Sequence, residues 1–229
     1  MIRPVWTLVF LLCPIGLTFA EGAKPGYPSE ASPPEYRIAD VTDEIALARS
    51  AAPASISSDA SILVLGDHGY DTAVQGKNGF VCVVERSWAN TFDEPEFWNP
   101  KIRAPICFNA PAARSVLPDY LERTRWVLAG ASKADMIGRH KTQAASKHRG
   151  LPEPGSMSFM LSKQGYLGDG GGHWHPHLMF FSTLDAAAWG ADAKGSPVSS
   201  SKVAEETFRT FYIKVAAWSD GTPDDMNMP

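Results

Sequence analysis

Five short apolar runs, each bounded by turn-forming residues, constrain this chain more than any other feature. They are Ser61 to Leu65, Phe80 to Arg86, Ser156 to Ser162, the stretch from Gly172 into Leu178-Met179-Phe180-Phe181, and Thr207 to Val215. Runs of this length between glycine, proline and asparagine clusters read as strands. Lys77-Asn78-Gly79 lies just before the second run, and Asn-Gly tolerates the positive φ angles of a tight hairpin. The first two runs are therefore expected to form an antiparallel meander. Helical spacing occurs in separate segments. Val41, Ile45 and Ala48 recur until Pro53; Asn109 can cap a helix with Pro111 in its first turn and Leu117, Leu121 and Leu128 on its buried side. Ser132 and Asp135 have capping-box spacing ahead of a helix to about Lys147, and Asp185 to Trp189 suggests a short helix stopped by Gly190. Hairpin-connected strands with helices in their own runs predict an α+β fold: a mainly antiparallel sheet with helices packed on it, in a single domain over residues 38–221.

The ends read differently. Residues 1–20 combine Arg3, an apolar run from Val5 to Phe19 and a small-x-small site at Thr18-Phe19-Ala20, the pattern of a secretory signal peptide. Residues 21–37 hold four prolines and almost no apolar side chains, a composition that predicts a disordered linker. Residues 222–229 read as a flexible tail. Export to the periplasm or beyond is the expectation, with no integral membrane span. Beyond the leader only Cys82 and Cys107 remain, and an even pair in an oxidising compartment reads first as a disulfide.

Without the leader, which carries one Arg and no acid, the net charge moves from -4 to -5. That mild acidity argues against a nucleic-acid binder. Residues 114–149 nevertheless contain eight basic and three acidic side chains. Such a region either attracts an anionic envelope surface or forms a solvated helix face; His140 and His148, within it, read as surface histidines.

Chemistry concentrates at Gly172-His173-Trp174-His175-Pro176-His177. On an extended chain the period of two places His173, His175 and His177 on one face and Trp174, Pro176 and Leu178 on the other. Neutral imidazoles suit zinc or another divalent transition metal. His173 and His177 would lie about 13 Å apart along a regular strand, so a two-histidine site completed by His68 or Asp71 is the sharper model. The competing reading leaves the histidines as packed residues bonded to carbonyls. Gly168-Asp169-Gly170-Gly171-Gly172 lacks the Lys-Ser/Thr pair of a phosphate loop, and no Gly-x-Ser-x-Gly elbow occurs.

His68, Asp71 and the His175-x-His177 pair faintly resemble the lysostaphin-type zinc peptidases. That resemblance implies His68, Asp71 and His177 as ligands and His175 as base, although two residues rather than that family's three separate His68 from Asp71. Asn78-Gly79-Phe80-Val81-Cys82, Glu85-Arg86-Ser87-Trp88, Lys163-Gln164-Gly165-Tyr166-Leu167 and the histidine stretch together resemble a family of exported bacterial proteins with no assigned activity. Three functional expectations stay open: an exported domain with a divalent-metal site, a metal-dependent hydrolase acting on a peptide or small molecule, and a metal-free envelope-binding module.

Overall fold

Eight strands form one sheet in the order β2-β1-β3-β4-β5-β6-β8-β7. The computed structural model describes residues 32–145, 150–170, 174–203 and 207–225; the expected leader, the linker up to residue 31, His148 and His173 lie outside them. The strands are β1 (Ser61–Leu65), β2 (Tyr70–Val74), β3 (Val81–Glu85), β4 (Ala104–Phe108), β5 (Met157–Met160), β6 (His177–Ser182), β7 (Val198–Ser201) and β8 (Arg209–Lys214). The helices are α1 (Val41–Arg49), α2 (Ala54–Ser57), α3 (Ala110–Ser115), α4 (Leu117–Leu128) and α5 (Lys133–Ala145). This is the expected single α+β domain with a mostly antiparallel sheet.

The expected meander does not form. β1 pairs antiparallel with β2, and β3 pairs with the opposite edge of β1 in parallel. Burial explains the order: Asp71, Thr72 and Ala73 are exposed, so β2 suits an edge, whereas Cys82, Val83 and Val84 need a neighbour on each side. Asn78-Gly79 instead shapes a crossing over the start of β1. There the N–H groups of Lys77 and Asn78 donate to the Asp59 carbonyl, and Asn78 Nδ2 donates to Ile56 O at 2.8 Å. Gly79 has the anticipated positive φ, +79°, and a Cβ at Gly76 would run into Ser61 N.

Alternation along the strands divides the core between two faces. On one, Val83, Ile106, Phe108, Met179 and Phe181 pack beneath α3, α4 and α5. On the other, Ala48, Ala51 and Ala52 lie over Ile62, Val84 and the cystine. Small side chains permit this close approach of α1. Cys82 and Cys107 are register partners of β3 and β4, with Cα atoms 3.9 Å apart, and form the expected disulfide.

A buried ion pair ties α1 to the sheet. Arg86 Nη2 donates to Glu44 Oε1 at 2.8 Å, and the same oxygen accepts Leu65 N–H at 3.1 Å. Arg86 Nε donates to Tyr36 O at 2.7 Å, and Nη1 donates to Val84 O. The Asn109 cap and the Ser132/Asp135 capping box both form.

Both ends of the domain extend past the expected limits. Pro33–Tyr36 is a 3-10 turn rather than linker, because the Tyr36 ring is buried 4.8 Å from Trp88 and its hydroxyl donates to Trp98 O at 2.7 Å. Thr222 to Asp224 is not a loose tail: Trp218 N donates to Thr222 O and Asp224 N to Ala216 O, both at 2.9 Å.

Candidate functional site

β6 begins at His177, and the residues before it leave the regular extended path. Pro176 has no N–H for the ladder; its carbonyl accepts Val215 N–H at 2.9 Å. The expected separation of rings onto two faces therefore fails. Trp174, anticipated opposite His177, meets it edge-on at a centroid distance of 6.0 Å and also packs edge-on against Trp218 at 5.1 Å. Tyr212 of β8 approaches the His177 ring at 5.8 Å.

Each described histidine of this stretch has one ring nitrogen committed. His175 Nδ1 lies 2.6 Å from Asp224 Oδ2; the His175 side chain is 10% exposed and that of Asp224 0%. His177 Nδ1 donates to the His175 carbonyl at 2.8 Å. A bond at Nδ1 selects the tautomer with its lone pair on Nε2. Burial holds His177 below the ordinary imidazole value, against the opposing pull of the His175 carbonyl. The neutral imidazole is thus favoured, which is the form that can donate a lone pair to a ligand.

His68 and Asp71 do not complete this site. His68 lies in the β1–β2 turn and Asp71 on β2, with β1, β3, β4 and β5 between them and β6. At the usual strand spacing the two regions are about 24 Å apart, so the ligand set implied by the peptidase resemblance is not assembled. Among the described residues no group of three His, Cys, Asp or Glu side chains could hold a metal ion. Asp224 is the partner that sequence reasoning missed. It lies 49 residues beyond His175, and the only local hint was the Trp218 that carries the chain back against Trp174.

Glu96 was also missed as a site residue. Its loop is anchored by the buried rings of Phe97 and Trp98, and its carboxylate grips the glycine-rich segment. Glu96 Oε2 accepts Asp169 N–H at 2.8 Å and Oε1 accepts Gly170 N–H at 2.9 Å, while Asn99 Nδ2 donates to Oε2 at 2.9 Å. A Cβ on Gly168 would stand 2.6 Å from Glu96 Oε2, and one on Gly165 would stand 3.0 Å from the Trp174 ring. Glycine here provides room for a carboxylate and an indole. The result is a cleft of about 480 Å³ beside the histidine segment, walled by Asn90, Glu94, Glu96, Tyr166 and Trp174.

In the basic region, Arg123, Arg114 and Lys133 are engaged within the domain, whereas Arg125, Arg139 and Lys141 are exposed. Arg123 is buried, donating to Trp88 O and to His140 Nε2; Arg114 pairs with Glu153, and Lys133 Nζ donates to Phe92 O. His140 is not a surface histidine. It is 1% exposed between Trp126 and Phe92, because α5 turns this face onto α4.

Fold and site together define a single-domain α+β protein with a carboxylate-oriented histidine at one end of its central sheet, next to an acidic, aromatic cleft. No family model matches the chain, and neither a curated protein nor a solved structure matches it.

Proposed function

We propose that this is an exported domain whose histidine segment binds a divalent transition metal of the zinc class through His175 and His177, with His173 as a third ligand. The carrying observation is the commitment of both Nδ1 atoms, one to the Asp224 carboxylate and one to a backbone carbonyl. Metal-bound histidines characteristically donate their other ring N–H to such acceptors, which fixes ring orientation and raises ligand basicity. Asp224 orients His175 from behind, a different role from the ligand positions expected of the distant His68 and Asp71.

A second reading, metal-dependent hydrolysis, is favoured by the neighbouring cleft, where a peptide or small molecule could lie beside a metal-bound water of lowered pKa. The resemblance to exported bacterial proteins fits either reading.

Metal analysis of protein purified without a histidine tag tests the proposal. Stoichiometric zinc in the wild type, reduced by His175→Ala and weakened about 10- to 100-fold in affinity by Asp224→Asn, is expected. Metal-free protein whose melting temperature is unchanged by added zinc overturns it and leaves the metal-free envelope module. Turnover of peptide or ester substrates by the zinc form, lost in His175→Ala, distinguishes the hydrolase.

A further inference from the structure

We infer that the cleft between the Glu94–Glu96 loop and Trp174 binds an alkylammonium group. Its walls combine two carboxylates, Glu94 and Glu96, with the rings of Tyr166 and Trp174, and no Lys or Arg lines it among the described residues. The carboxylates differ in role. Glu96 is occupied by the N–H groups of Asp169 and Gly170 and by Asn99, so it contributes fixed negative charge. The Glu94 carboxylate, by contrast, makes no hydrogen bond or ion pair among the described residues, where only the backbone of this residue is bonded, to Thr91 and Phe97; it is available to a ligand. Lys133, whose charge interacts with Glu94, is held by the Phe92 carbonyl and over the Phe97 ring at 4.6 Å.

Negative charge beside indole and phenol faces is the environment that selects ammonium heads, since the ring quadrupole and the carboxylate attract the same cation. A saccharide would also stack on aromatic walls and donate its hydroxyls to the carboxylates, but only a cation gains in addition from their net negative charge. A volume of about 480 Å³ admits a trimethylammonium head or a lysine side chain. This inference goes beyond the metal reading and stands whether or not the histidines hold zinc.

The test is calorimetric titration of the full metal-free chain with three probes: choline, its uncharged isostere dimethylbutanol, and acetyl-lysine methylamide. Saturable binding of a cation at about millimolar Kd, with the isostere about tenfold weaker, is expected. Tighter choline identifies a free quaternary ammonium as the source, and tighter acetyl-lysine amide identifies a peptide side chain. Glu94→Gln is expected to weaken the preferred cation about tenfold while leaving the melting temperature unchanged, because this side chain makes no hydrogen bond or ion pair among the described residues. Equal binding of the isostere, no saturable binding of either cation, or full affinity in Glu94→Gln would each overturn the assignment.

Discussion

Replacing Glu44 by Ala is expected to be among the most damaging single changes outside the apolar core. The side chains of Arg86 and Glu44 are 0% and 3% exposed, so removal of the acid strands a guanidinium where water cannot reach it. The three carbonyl and carboxylate contacts of Arg86 fall to two carbonyls, and Leu65 N–H loses its acceptor. Breaking one side of such a pair costs about 3–5 kcal/mol, out of a total stability of about 5–15 kcal/mol for a domain. At a urea m-value of about 2 kcal/mol per molar, the midpoint should fall by about 1.5–2.5 M with m unchanged. Far-UV circular dichroism during urea unfolding reads this directly. Arg86→Met and the Glu44→Ala/Arg86→Met double variant complete a cycle in which the double change costs less than the two single losses added. A cost below about 1 kcal/mol for Glu44→Ala, or strict additivity, would refute the reasoning that the charges depend on each other for burial.

Other perturbations have equally definite outcomes. Cys82→Ala/Cys107→Ala opens a loop with a separation of 25 residues and should cost about 3.5 kcal/mol in the chain-entropy model, measured as the difference in unfolding free energy under oxidising conditions. Burial pushes the Tyr36 hydroxyl up to about 12 and drives Tyr70 higher still. An unfolded tyrosine ionises near 10, so their contribution is whole below about pH 10 and is lost as pH rises toward the folded value. Urea midpoints should therefore be flat from neutrality to about pH 9.5 and then drop, with a smaller drop in Tyr36→Phe; an unchanged midpoint at pH 11 would contradict this. Glu96→Ala releases the N–H groups of Asp169 and Gly170 and should raise amide exchange across residues 165–170 by at least about tenfold while β3 and β4 stay protected.

What could be read from the residues follows what each element buries. β1, β3, β6 and β8 carry enough apolar side chains to announce themselves. β2 and the serine-rich β7 are edges with little to bury, so no period-two signal marks them. β4 is buried throughout, but Pro105 argues against a central strand on local rules; its burial comes from neighbours on both sides. His140 misled for a related reason: a mostly polar helix hides which face another helix will cover. At the site, the imidazoles were visible in the sequence, whereas their supporting acid was not. Asp224 reaches His175 through the path set by β8 and the Trp218 turn, which is a property of the assembled sheet.

The position of Asp224 also governs timing. It follows every described strand and helix, so a nascent polypeptide can exhibit the histidines of this segment before the carboxylate that orients His175 has been synthesised. Whatever reactivity that imidazole possesses is withheld until the turn after Trp218 docks, so the site matures only after the sheet that carries it.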